Sequence, residues 1–74
     1  MYNPYDELAL MTIEVVEEAL HTVNGVVTFT HEAVVNAAVD YVCRMANVEH
    51  PSLTPGQIDQ MWREALKRYH RSIN

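Results

Sequence analysis

The sequence predicts an all-α fold, a compact three-helix bundle, from its hydrophobic periodicity, its helix-start signals and the proline and glycine residues between its apolar segments. Apolar residues recur with a helical period over about 4–24, 31–47 and 55–72. The 74 residues suffice for a single domain, 1–74, with a small core. No apolar run approaches the ~20 residues that a membrane-spanning helix needs, and the single cysteine excludes an internal disulfide. We therefore expect a soluble, cytoplasmic protein.

The first predicted helix begins at Asn3-Pro4, because asparagine caps free amides and proline at the first helical position loses no hydrogen bond. Asn24-Gly25 supplies a left-handed cap at its end. A wide apolar arc covers one side of this helix, and acids cover the other. The arc consists of Tyr5, Leu8, Ala9, Ile13, Val15, Val16, Ala19, Leu20 and Val23.

The second predicted helix has little polar surface. Thr30 is its N-cap, and Phe29 with Val34 has the spacing of a hydrophobic staple. Its apolar residues span roughly 200°, well beyond the ~100° stripe of an ordinary surface helix. This helix should therefore contact more than one neighbour.

The third predicted helix has the strongest start signal in the chain. Thr54 is the N-cap, Pro55 takes the first helical position and Gln57 completes a capping box. Its apolar stripe is of ordinary width and consists of Ile58, Met61, Trp62, Ala65, Leu66, Tyr69 and Ile73. This helix needs only one core-facing side.

Two wide apolar arcs and one narrow stripe are more apolar surface than three short helices bury against one another. We therefore predict a homodimer, or a complex with another protein, in which Ala37, Ala38 and Ala46 allow close helix approach. The alternative is a monomer whose core buries all of this apolar surface, with helices that begin and end at other residues than predicted.

Charge is distributed unevenly within a net charge of −5. Residues 1–37 contain six acids and no Lys or Arg, whereas residues 38–74 contain four acids and five bases. The acids of the first helix form either a solvated face or a surface that recognises a basic partner. Aromatic anchors such as Trp62 serve either in a core or in an interface. The predicted partner-binding residues are Glu7, Glu14, Glu18, Tyr41, Met45 and Trp62.

The sequence favours no catalytic, cofactor or metal site. The four histidines are dispersed over separate segments, without the spacing that places two metal ligands on one helix face. Cys43 has no glycine-rich or oxyanion-type segment beside it, so we interpret it as a structural residue. Both glycines, Gly25 and Gly56, have structural explanations. We therefore expect a protein that is not an enzyme.

DNA binding is the main alternative. Gln60, Arg63, Lys67 and Arg71 follow one side of the third helix, as side chains that contact phosphates and base edges do. The connection before this helix is longer than the turn of a helix-turn-helix unit, and Asp59 and Glu64 lie among the bases. A dimeric transcriptional regulator stays open as the second hypothesis.

The leading hypothesis is a small acidic interaction protein that binds and modulates another protein through apolar and acidic surface. Inhibitors, adaptors and other regulators of this size include products of phage and mobile elements, which is an association by size and class only.

Overall fold

Three α-helices account for most of the chain: α1 (Pro4–Thr22), α2 (His31–Ala46) and α3 (Pro55–Ile73). The computed structural model describes residues 4–74, with side chains from Asp6 onward. Each helix packs against the other two, so that the core lies between all three. No strand occurs within residues 4–74. The predicted all-α, three-helix fold is therefore confirmed, while the homodimer stays a prediction.

The α1 helix ends where two consecutive residues adopt left-handed backbone. Asn24 has φ 55° and Gly25 has φ 78°, and the Gly25 N–H donates to the Leu20 carbonyl at 2.8 Å. The predicted cap at Asn24-Gly25 is confirmed, although the helix itself ends at Thr22 instead of Asn24. The cap predicted at Asn3 lies outside the described residues.

Side-chain caps begin both later helices. The Thr30 hydroxyl accepts a hydrogen bond from the Ala33 N–H at 3.1 Å. The Thr54 hydroxyl accepts from the Gln57 N–H at 3.1 Å, and the Gln57 side chain accepts from the Thr54 N–H at 2.9 Å. The predicted N-cap and capping box are therefore confirmed, and they satisfy amides that helix starts leave free.

The α2 helix ends one residue before the predicted boundary. Asn47 adopts left-handed backbone at φ 56°, and its N–H bonds to carbonyls of the last turn. The Val48 N–H donates to the Cys43 carbonyl at 3.0 Å. Asparagine tolerates this conformation better than most residues, so Asn47 caps the end of α2 in the way that glycine often does.

The core draws on all three helices, and α3 contributes the largest side chains. Trp62 is only 5% exposed, and the ring of His31 stacks on it with a centroid distance of 4.2 Å. The predicted stripe of α3 is buried apart from Leu66, which is half-buried, and the terminal Ile73. The buried apolar residues are Val16, Leu20, Val35, Ala38, Val39, Val42, Cys43, Ile58, Met61, Trp62, Ala65 and Tyr69.

Thr12 is a polar residue inside this core. It is 0% exposed, and within the described part of the chain its hydroxyl has no hydrogen-bond partner. A buried hydroxyl without a partner loses hydration and gains nothing in return. The position therefore lowers the stability of the fold.

We expect Thr12→Val, which keeps the shape and removes the hydroxyl, to raise the free energy of unfolding by about 1 kcal/mol. Thr12→Ser is the matched control, because it keeps the hydroxyl and removes the buried methyl group, and it should lower stability. Urea unfolding followed by circular dichroism measures both. A valine variant less stable than the parent would show that the hydroxyl is satisfied in solution.

Candidate functional site

An open apolar groove lies between α1 and α2, on the side that α3 does not cover. Its volume is about 520 Å³. Side chains of α1, α2 and the preceding loop line it: Val15, Val16, Ala19, Phe29, Ala33, Val34, Ala37, Ala38 and Tyr41. The Tyr41 hydroxyl is the one polar side-chain group among these residues, so the groove has almost no capacity to bind a polar ligand.

The groove exists because small residues face outward where two helices meet. Three exposed alanines lie here: Ala19 on α1, and Ala33 and Ala37 on α2. The alanine side chain is too short to fill the space between the helix axes. Two aromatic residues border this space: Phe29 is 73% exposed and Tyr41 is 55% exposed. The result is a shallow floor between large apolar side chains.

Apolar surface continues from the groove beneath the α1–α2 loop. A second cavity of about 190 Å³ shares Val16, Ala19, Phe29 and Val34 with the groove and extends along the loop valines. Val26 in that loop is largely exposed. Contiguous exposed apolar surface of this kind marks interaction sites on small proteins.

Most of the predicted partner-binding residues meet at the other end of the groove. A cavity of about 240 Å³ is lined by Met11, Glu14, Val15, Glu18, Tyr41, Val42 and Met45. The structure thus brings Glu14, Glu18, Tyr41 and Met45 together, and Met45 is 69% exposed. Glu7 is exposed two helical turns before Glu14. Trp62 lies in the core instead.

The carboxylates beside the groove have no cationic neighbour in the described structure. Neither the Glu14 nor the Glu18 side chain forms an ion pair or hydrogen bond within residues 6–74. Arg44, on α2, pairs with Asp40 at 3.1 Å. Every other Lys and Arg of the sequence lies on α3. The groove therefore has a negative edge.

The four residues predicted for DNA contact, Gln60, Arg63, Lys67 and Arg71, are all exposed on α3. Arg63 pairs with Asp59 at 2.7 Å, and Arg68 pairs with Glu64 at 3.7 Å. These pairs neutralise part of the basic face. The connection between α2 and α3 runs from Asn47 to Thr54, which is longer than a helix-turn-helix turn.

The histidines take separate structural positions. His21 Nε2 lies 2.9 Å from the Ser72 hydroxyl and 3.8 Å from a Glu17 oxygen. Because one nitrogen faces both groups, this is not the acid-histidine-hydroxyl relay of a hydrolase, in which two nitrogens are used. Instead the contact joins the ends of α1 and α3. Within the described residues, no three His, Cys, Asp or Glu side chains cluster as metal ligands.

Cys43 is only 3% exposed and belongs to the core. Burial away from water raises the pKa of the thiol above its ordinary value of 9.0, and the negative charge of Asp40 adds to the effect. The thiol therefore stays protonated at neutral pH. Since the thiolate is the reactive form, Cys43 should be chemically inert in the folded protein.

We expect a thiol reagent such as DTNB to modify Cys43 only as fast as the protein opens, and to modify urea-unfolded protein at once. The folded protein holds the thiol proton more tightly than the unfolded chain does. The free energy of unfolding should therefore keep its full value below pH 9.0 and fall as the pH rises through the folded-state pKa of Cys43. Cys43→Ala is the control for that pH dependence. Rapid modification of native protein at pH 7 would contradict the burial of this thiol.

None of the helices in the described residues has both the length and the apolar character needed to cross a membrane. Comparison with protein-family models, with curated proteins and with solved structures gave no match for this chain. Function is therefore inferred from the groove and the charges around it.

Several groove residues were missed by the sequence prediction, above all Phe29, Ala19 and Ala33. A signal was present in the sequence: apolar residues stand at every fourth position through Phe29, Ala33, Ala37, Tyr41 and Met45. On a helix this spacing forms one ridge, which here comprises Ala33, Ala37, Tyr41 and Met45 of α2. All four side chains are exposed, so this ridge faces solvent.

Proposed function

We propose that this chain is a non-enzymatic interaction module that binds and modulates another protein through the groove between α1 and α2. The observation that carries the proposal is the apolar groove with its exposed aromatic borders, Phe29 and Tyr41. Exposed aromatic and methionine side chains around a concave floor are typical of binding hot spots. Inhibition or adaptation of the partner is the expected consequence of covering its surface.

The test uses a groove variant that should leave the fold intact. Ala37 is exposed at the groove floor, and glutamate is a good helix former, so Ala37→Glu blocks the groove without opening the core. Gln60→Glu is the matched control, since it adds the same charge at an exposed position of α3, outside the groove. Circular dichroism should show both variants folded.

Tagged parent protein and both variants are used to capture proteins from a lysate of the native host, treated with nuclease. We expect one protein to be retained in stoichiometric amount by the parent and by Gln60→Glu, and lost with Ala37→Glu. Equal retention by all three forms would reject the groove as the binding surface.

The DNA-binding hypothesis has narrower support: the exposed side of α3 carries Lys67 and Arg71 without a partner in the described residues. The same capture without nuclease tests it. Recovery of DNA that is lost as salt rises, and lost with Lys67→Ala, would make α3 the functional element.

A further inference from the structure

We infer that the occupant of the groove is an amphipathic helix of another protein with Lys or Arg along one edge. This inference rests on the proposed function and specifies the chemistry of the partner. Two properties of the groove support it: an apolar lining without hydrogen-bonding groups along its floor, and the carboxylates of Glu14 and Glu18 at one end.

The apolar lining selects a helix over an extended peptide. An extended segment in this groove would bury backbone N–H and C=O groups against alanine and valine side chains, which offer them no partner. A helix satisfies these groups internally and presents only side chains. The described residues also contain no strand, so no sheet edge is available for strand addition.

The dimensions match a short helix. From Ala33 to Tyr41 the groove follows α2 for about 12 Å, or roughly two turns. The exposed alanines on its floor leave room for large apolar side chains of the partner, spaced at i, i+4 and i+7. Phe29 and Tyr41 stand at opposite ends of the row through Ala33 and Ala37, so they would pack near the two ends of the partner helix.

Charge decides between a foreign helix and a second copy of this chain. Two copies meeting groove to groove in parallel would bring together four carboxylates from Glu14 and Glu18, and antiparallel copies would place these carboxylates against the loop valines, which offer no cation. The one Lys or Arg of the sequence outside α3 is Arg44. Arg44 is already paired with Asp40. The basic helix α3 cannot fill the groove either, because its exposed side is polar along most of its length. A foreign helix with basic residues compensates the carboxylates instead.

The probes are two synthetic helical peptides of about 18 residues, long enough to span about 27 Å. Both carry the same leucine stripe, and one has lysine and the other glutamate along the edge that would face Glu14 and Glu18. Binding is measured by titration calorimetry with the full chain, its Glu14→Gln/Glu18→Gln form, Ala37→Glu and Gln60→Glu.

We expect the lysine peptide to bind the parent chain about tenfold more tightly than the glutamate peptide, and this preference to disappear with Glu14→Gln/Glu18→Gln and to shrink at high salt. Ala37→Glu should abolish binding of both peptides, and Gln60→Glu should change neither. Because both carboxylates are exposed and unpaired, the double glutamine form should remain folded.

Equal binding of the two peptides would overturn the basic-partner inference and leave the groove as a binding site. Binding of neither peptide, with a dimer in sedimentation that Ala37→Glu dissociates, would identify a second copy as the occupant. Binding of neither peptide by a monomeric chain would overturn the helix inference. In each case the capture experiment with Ala37→Glu still decides the proposed function independently.

Discussion

Trp62→Ala should remove a large part of the free energy of unfolding of this protein. Trp62 is a core residue that is 5% exposed, and truncating a buried tryptophan typically costs about 3–5 kcal/mol. A domain of 74 residues has a total stability of only about 4–11 kcal/mol. The variant also removes the ring on which His31 stacks.

Urea unfolding followed by far-ultraviolet circular dichroism measures this effect without relying on tryptophan fluorescence. Trp62→Phe is the matched control: it keeps an aromatic ring in the same space and should lose much less stability. An unchanged unfolding midpoint for Trp62→Ala, together with weaker partner capture, would instead support the interface role that the sequence allowed for this residue.

Gly25→Ala should be the most damaging substitution at a glycine. Gly25 has φ 78°, where a residue with a Cβ is strained, and an added Cβ would lie 2.9 Å from the Tyr69 hydroxyl. Tyr69 is buried, so its ring has little room to move. We expect a loss of about 3 kcal/mol from backbone strain and overpacking together.

Gly56→Ala provides the comparison, with an effect of opposite sign. Gly56 lies in the first turn of α3, and a Cβ there would meet only the Thr54 hydroxyl at an ordinary 3.9 Å. Alanine at a compatible helical position should stabilise the protein by about 0.5–1 kcal/mol. Thermal unfolding of both variants tests the pair, and two shifts of the same sign would contradict the assignment at Gly25.

The negative edge of the groove also bears on the two functional hypotheses. The acids of α1 repel DNA and attract basic side chains, while two of the four cations of α3, Arg63 and Arg68, are paired with Asp59 and Glu64. Both charge patterns can be read from the sequence. Their positions relative to the apolar groove are a property of the assembled bundle.

Local signals were sufficient to predict the helices. Thr30, Thr54 and Gln57 cap the helix starts through bonds to residues three positions away, and Asn24-Gly25 ends α1 through its own backbone conformation. These interactions span a few residues and therefore follow from sequence neighbours alone. The predicted helix ends were less accurate than the starts: α1 ends two residues and α2 one residue before the predicted position, because the capping residues Asn24 and Asn47 lie outside the helices that they end.

Only the tertiary structure decided which apolar residues are buried. Trp62 and Ala37 both stand at helix positions that suit a core or an interface, and the packing of α3 covers the first and leaves the second exposed. Helical periodicity shows that a face is apolar, but the partner of that face is a long-range contact that periodicity does not encode. The sequence by itself therefore determined the helices, their caps and their charge. The groove, in contrast, depends on which apolar helix faces pack against each other in the bundle and which stay exposed.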